Sequence, residues 1–314
     1  MPNWLGDMVM ASAFIKALHT KYPEAFIELI VKKELAPIAP YLPVVAAIHS
    51  FDKKTISSWQ FGKQLGRLKK YDLFFCLPNS FSSAQMAFAT KAKKRIGYKK
   101  ELRSFMLTHS YRKPDGLHRV DEYLQLLSLS EKKSVINPSV SLQPSNSDKR
   151  NAVLVNINSE AQSRRLPTDK AISLLNDIRL AISQEIILVG SPKEKVFVES
   201  IYEQLNNKKG IVNLAGQTTL AATIELFTSA KAVLSTDSGP AHIANAVGTP
   251  TIVLFGAGNE DNTAPYNTGN REIIRLGQLA CEKCVSNTCK KYDEPRCLTA
   301  LDNQTIIAAL KKYV

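Results

Sequence analysis

Apolar residues recur along this chain in short blocks whose period keeps switching between helical and strand-like. An apolar-rich helix is predicted over 8–18, closing near Tyr22-Pro23, where proline ends the pattern. A strand follows over 26–31, then a short helix near Glu34, a strand over 46–51 and an amphipathic stretch over 57–70. Tyr71-Asp72-Leu73-Phe74-Phe75-Cys76-Leu77-Pro78 reads as a buried strand, and Asn79-Ser80-Phe81-Ser82-Ser83 opens another helix. Within 118–129, Val120, Tyr123, Leu124 and Leu127 keep helical spacing. Composition then shifts: 130–150 is rich in Ser, Pro, Asn and Lys with little periodicity, which marks a linker. Beyond it, strands are predicted over 152–157 and near 185–190, 211–214, 232–235 and 251–255, with helices near Thr168, Lys193 and Thr219 between them. A last helix over 302–312 has a capping Asp302 and an apolar face of Ile306, Ile307 and Leu310. Strands separated by helical patterns imply parallel, doubly wound sheets. The expected fold class is α/β, with two Rossmann-like domains over 1–135 and 151–314 joined by a linker over 136–150.

The block 234–256 organises the rest. An apolar run ends in the polar turn Asp237-Ser238-Gly239, a helix opens with Pro240 at its first turn, and Gly248 stops it before a second apolar run. In such a strand-helix-strand unit the first free backbone N–H groups of the helix point into the turn, ready for an anion. Asp237, Ser238, Gly239 and His242 would then line a ligand crevice. The plainer alternative is a structural turn, with Asp237 as a helix cap and His242 as a hydrogen-bonded core residue.

Asp237-Ser238-Gly239-Pro240-Ala241-His242, followed by Gly248-Thr249-Pro250, resembles the D-S/T-G-x-x-H element and later G-T-P of glycosyltransferase family 9, the bacterial heptosyltransferases of lipopolysaccharide core assembly. The resemblance implies the glycosyltransferase B architecture, two Rossmann-like halves facing across a cleft, with the acceptor on the N-terminal side and an ADP-heptose-like donor on the C-terminal side. It extends to Asn3-Trp4-Leu5-Gly6-Asp7, which looks like the turn after the family's first strand. That strand is not seen upstream, and its neighbours would then lose their partner and expose an edge. By the same resemblance Asp7 is the catalytic base of an inverting transfer, where a carboxylate takes the proton of the attacking acceptor hydroxyl. From the residues alone, the favoured reading of Asp7 is a helix-start charge or cap. Leu77-Pro78-Asn79-Ser80-Phe81-Ser82-Ser83, Arg95-Ile96-Gly97-Tyr98 and Glu101-Leu102-Arg103 resemble the heptosyltransferase II-like branch, which puts Asn3, Asn79 and Arg103 on the acceptor side. For Arg103 alone, a solvated surface position is the favoured reading. Arg164-Arg165-Leu166-Pro167 resembles the family's phosphate-contacting K/R-R-W-P, with Leu166 in place of the aromatic and Ile157-Asn158-Ser159 in place of its usual P-G-A. Ser159, Arg164 and Arg165 would face the donor diphosphate, where a guanidinium can stabilise the leaving group without a metal. Glu194, at another strand-to-helix turn, would accept from ribose hydroxyls or simply sit at a helix start.

Composition permits this picture and narrows it. A chain of 314 residues with 44% hydrophobic content can build two cores. No apolar run approaches the ~18 residues of a membrane span. No signal peptide is visible, so a cytoplasmic protein is expected, peripheral at the inner face of the bacterial inner membrane if the acceptor is lipid-linked. The 41 basic against 28 acidic residues, a net charge of +13, suit attraction to anionic phosphates of a nucleotide sugar, a lipid headgroup or a nucleic acid. Cys281, Cys284, Cys289 and Cys297 bring four thiols into 17 residues, a possible structural metal site, although the spacing is not that of paired C-x2-C knuckles. No cofactor and no catalytic metal are expected. Two rival readings are a sugar-nucleotide epimerase of the same architecture and a non-catalytic basic nucleic-acid-binding protein. The second lacks any zinc-finger, helix-turn-helix or aromatic-basic RNA motif.

Overall fold

The computed structural model describes residues 1–134, 138–145 and 148–314, so the linker expected over 136–150 lies partly outside the described residues. The chain divides into two compact units, Met1–Val140 and Ser141–Val314.

The N-terminal unit runs α1 (Leu5–Met10), α2 (Ser12–Lys21), β1 (Glu28–Lys32), β2 (Ala47–Phe51), α3 (Ser58–Leu68), β3 (Leu73–Cys76), α4 (Phe81–Thr90), β4 (Lys94–Tyr98), β5 (His109–Tyr111) and α5 (Arg119–Glu131). All its strand pairs are parallel, but they make two sheets, β1-β2 and β3-β4-β5. Among the described residues β1 and β3 share no partner strand. The terminal ammonium of Met1 donates to the Ile30 carbonyl of β1 at 2.7 Å, and Phe14 of α2 meets Phe75 of β3 edge-on at 5.1 Å. The helix expected near Glu34 is a 3-10 segment, Lys33–Tyr41. Pro37 and Pro40 inside it lack the N–H that an α-helical ladder needs. β4 and β5 carry no sequence forecast: β4 opens on Lys94-Arg95 and β5 is three residues long, so neither shows an apolar period.

The C-terminal unit runs β6 (Ala152–Asn156), α6 (Thr168–Ala181), β7 (Glu185–Leu188), α7 (Lys195–Glu203), β8 (Ile211–Asn213), α8 (Leu220–Ser229), β9 (Ala232–Thr236), α9 (Gly239–Ala246), β10 (Thr251–Phe255), α10 (Glu260–Thr263), β11 (Arg271–Arg275), α11 (Arg296–Thr299) and α12 (Asn303–Lys311). Its strands form one parallel sheet in the order β11-β10-β9-β6-β7-β8. Every residue of β6, β9 and β10 is buried, which explains their unbroken apolar runs: helices cover both faces of a central parallel strand. The core gathers Val153 and Val155 of β6, Leu174 and Ile178 of α6, Ile252 and Leu254 of β10 and Ile306 and Leu310 of α12. Gly248 ends the β9-α9 unit at φ +84°, a conformation that favours glycine. β11 was not forecast because Arg271 and Arg275 bracket it and only Ile274 is buried.

This order fixes where a ligand can enter. From β6 the chain adds β7 and β8 on one side, and then β9, β10 and β11 on the other. β6 and β9 are neighbours from which connections leave in opposite directions. Beyond their carboxyl ends such sheets open a crevice.

Candidate functional site

In the N-terminal unit, Asp7 lies in the first turn of α1, but the residue at the cap position is Trp4 and no side chain caps the helix. The cap reading of Asp7 is therefore wrong. Its carboxylate instead faces the start of α5, with Oδ1 3.5 Å from Arg119 Nε. Arg119 Nη1 also donates to Glu122 Oε2 at 2.8 Å, and Lys113 Nζ lies 3.1 Å from the same oxygen. Burial raises the Asp7 pKa above the ordinary carboxylate value; Arg119 and Lys113 oppose the shift and Glu122 adds to it. A carboxylate held partly dry and close to one cation is well suited to accept a proton. Arg119 had no sequence signal, because helix-start arginines are common and only folding brings it to Asp7.

Asn3 is exposed in the turn before α1. Asn79 and Arg103 are brought together: Arg103 Nη1 donates to Asn79 Oδ1 and to the Tyr98 carbonyl, both at 3.1 Å, and Nη2 reaches Ser83 Oγ at 3.4 Å. Arg103 is 1% exposed, so the surface-arginine reading is corrected. The 3-10 turn Glu101–Met106 folds its guanidinium inward under the loop that carries Asn79.

In the C-terminal unit the residues following β6 and β9 meet at the switch point. Asn156, the last residue of β6, donates through Nδ2 to Ser238 Oγ (2.9 Å), Ser235 Oγ (3.1 Å) and the Asn158 carbonyl (3.2 Å). Asn158 Nδ2 donates to the Val189 carbonyl at 2.9 Å, which ties in the turn after β7. Ser159 is buried, and its carbonyl accepts from Arg165 Nε and Nη2 at 3.2 and 3.1 Å. Arg165 also lies 4.9 Å over the Phe197 ring. Arg164 points elsewhere, with Nη1 3.5 Å from Asp237 Oδ2. Glu194 stands at the start of α7, and its Oε2 accepts from the Ser191 N–H at 2.7 Å.

Asp237 does not cap α9. Ser238 occupies the cap position without a side-chain cap bond, Gly239 and Pro240 form the first turn, and His242 is buried. The Asp237 carboxyl is 4% exposed, and burial pushes its pKa up to about 6 against the opposing pull of Arg164 and Arg275, with Glu260 adding to the rise. Gly258 makes room for it: a Cβ there would lie 1.9 Å from Asp237 Oδ2. Arg275 closes the back of this corner. It donates to the Gly256 carbonyl at 2.8 Å and to the Gly258 carbonyl, and it pairs with Glu260 and with Glu282 (3.2 Å). Asn156, Gly258 and Arg275 were missed in the sequence. An asparagine closing an apolar strand is the one visible hint, since a polar side chain there must find buried partners.

The cysteine-bearing segment packs on this corner. Val285 N–H donates to the Ala257 carbonyl at 2.8 Å, Ser163 N–H to Asn287 at 3.1 Å, and Ser163 Oγ to the Ser286 carbonyl. Among the described residues no group of three or more His, Cys, Asp or Glu side chains is arranged to hold a metal ion. Cys284 is exposed, Cys281 and Cys289 are half-buried, and burial, together with Glu282 and Cys289, pushes the Cys297 thiol up to about 11.

Comparison with known proteins gives the family and the fold. The family model for glycosyltransferase family 9 (heptosyltransferase) matches residues 58–293. Lipooligosaccharide heptosyltransferase 2 of Haemophilus influenzae is 28% identical over 306 residues, covering 88% of this chain and 87% of that protein. Among solved structures, Escherichia coli ADP-heptose lps heptosyltransferase II superposes with a TM-score of 0.84 at 23% identity, over 99% of this chain and 96% of that one. The E. coli heptosyltransferase WaaC with ADP-2-deoxy-2-fluoro heptose gives 0.75 at 16% identity, over 99% and 97%.

Proposed function

The chain belongs to glycosyltransferase family 9, and from that premise we propose that it transfers a heptose from ADP-heptose to the lipid-linked inner core of lipopolysaccharide, with inversion at the anomeric carbon. The observation that carries this reading is the corner between β6 and β9, where Arg164 and the uncapped start of α9 meet at the switch point of a parallel sheet. The relatives' names supply the sugar and acceptor class: the curated relatives are heptosyltransferases of lipopolysaccharide and lipooligosaccharide, and the WaaC structure holds an ADP-heptose analogue.

In this reading Asp7 takes the proton of the acceptor hydroxyl as it attacks the anomeric carbon. Arg164, Ser238, Gly239 and the first N–H groups of α9 receive the charge that develops on the leaving diphosphate, so no metal is needed for that step. Arg165 holds the loop through the Ser159 carbonyl, and Glu194 faces the nucleoside ribose. His242 backs the phosphate turn. Asn3 and Asn79 meet the acceptor, with Arg103 holding Asn79 in place. Among the described residues no helix is long and apolar enough to cross a membrane. We infer that the enzyme works as a peripheral protein at the cytoplasmic, anionic face of the inner membrane, without nucleic acid as a partner.

A donor panel tests the reading. ADP-heptose should be consumed only when a heptose-ready core acceptor is present, with the acceptor gaining one heptose. Epimerisation of a UDP-sugar with no acceptor would favour an epimerase of the same architecture instead.

A further inference from the structure

Nearly all of the chain's excess charge lies in the N-terminal unit. Up to Val140 the sequence holds 22 Lys and Arg against 11 Asp and Glu, so +11 of the net +13 falls there. The bias is sharpest over 53–101, with 12 basic residues against Asp72 and Glu101, and Asp72 is paired with Lys93 at 2.7 Å. Exposed apolar surface follows the same division. Of the 14 large apolar side chains left exposed among the described residues, 11 belong to this unit.

Several of them lie on α3, α4 and the 3-10 turn Glu101–Met106, three elements of which α4 packs against both others. Helix α4 has no charged residue at all. Ala84 and Ala87 turn inward with Cys76, Met106 and Leu107, while Phe81 and Phe88, seven residues apart on the outer face, stay 49% and 40% exposed. Trp59 of α3 stacks on Phe88 with ring centroids 6.0 Å apart. On the 3-10 turn, Leu102 and Phe105 are 75% and 68% exposed. Exposed lysines stand on or next to the same elements: Lys63 one turn beyond Trp59, Lys91 at the end of α4, and Lys99 and Lys100 just before the turn. The outer face of α4 thus carries two phenyl rings beside uncharged Ser82 and Gln85, apolar surface that water does not favour.

We propose that this surface docks on an anionic lipid bilayer, with Trp59, Phe81, Phe88, Leu102 and Phe105 entering the interfacial zone and the lysines meeting the headgroup phosphates. Aromatic and leucine side chains accompanied by lysine match the chemistry of that zone, apolar below and negatively charged above. A nucleic acid would engage the lysines but leaves no role for the protruding Leu102. The proposal rests on the reading that the acceptor is lipid-linked, and it adds the face by which the enzyme meets the membrane.

Sedimentation of the full chain with vesicles tests it, using neutral phosphatidylcholine alone and phosphatidylcholine mixed with anionic phosphatidylglycerol. The chain should bind the anionic vesicles and release from them as salt is raised. Both the Leu102→Ser/Phe105→Ser and the Lys99→Gln/Lys100→Gln pairs should weaken binding about tenfold or more, while Lys209→Gln/Lys231→Gln in the other unit should not. Melting temperature and transfer to a water-soluble acceptor fragment should stay at wild-type values in all three. Equal binding to neutral and anionic vesicles, undiminished binding by the first two variants, or binding to an oligonucleotide in place of vesicles would overturn the docking face. Failure of the wild type to modify the soluble acceptor would instead overturn the transferase reading and leave the vesicle result standing.

Discussion

Arg164 and Asp237 form an ion pair that leaves the arginine incompletely used. Nη1 and Oδ2 are 3.5 Å apart, longer than a good charge-assisted hydrogen bond, and Arg164 Nε has no hydrogen-bond partner among the described residues. Its neighbour differs: Arg165 spends Nε and Nη2 on the Ser159 carbonyl and lies over Phe197. One guanidinium is therefore available to an incoming phosphate, and the other holds the loop in shape.

This contrast predicts different binding defects. Arg164→Ala should weaken ADP by ~1.5–3 kcal/mol, the range for a hydrogen bond to a charged group, and weaken adenosine much less. Arg165→Ala should weaken both by similar factors, since a loop that loses its brace misplaces every contact. Calorimetric titration of the two ligands checks this. A selective diphosphate loss in Arg165→Ala, or an equal loss in Arg164→Ala, would reverse the roles.

Asp237 gives a signed pH prediction. Its pKa is about 6 in the folded chain, against ~3.9 when unfolded. Between these values the native state binds more protons than the unfolded one, so stability falls as pH rises from about 4 to about 6, by an amount of order 2–3 kcal/mol. Below that window the contribution is fully present, and above it the contribution is gone. Asp237→Asn should lack the dependence. The wild-type minus variant difference in unfolding free energy should therefore decline across the window and level off above it. A flat or rising difference would contradict the buried, protonatable carboxyl.

Gly258→Ala places a methyl carbon 1.9 Å from Asp237 Oδ2. The carboxyl must shift or the backbone must open, so both melting temperature and ADP affinity should fall, although no side chain was lost. Wild-type values for both would mean that this corner is looser than the structure describes.

Much of this was legible in the sequence because the relevant strands are central. β6, β9 and β10 are buried throughout and read as apolar runs, and the turn after β9 announces itself with Asp-Ser-Gly-Pro. The less legible parts are contacts between segments far apart in sequence. Nothing local tells Arg164, which meets Asp237, from Arg165, which does not, and Arg119 reaches Asp7 only because α5 starts beside α1. Edge strands such as β11, bracketed by arginines, escape any apolar count.

The proposed chemistry turns on Asp7. Asp7→Asn should leave ADP-heptose affinity unchanged and lower kcat by ~10²-fold or more. Arg119→Gln should keep turnover at high pH but move the acid limb of the kcat profile upward, because burial and Glu122 would then raise Asp7 unopposed by Arg119, leaving only Lys113 against them. An acid limb that stays in place in Arg119→Gln would separate the two residues functionally.

Mass spectrometry of a core acceptor incubated with the enzyme and ADP-heptose tests heptosyl transfer most directly. The acceptor should gain one heptose as ADP accumulates in equal amount, and Asp7→Asn should give neither product at a comparable rate. An unmodified acceptor beside a folded, ADP-binding enzyme would contradict it.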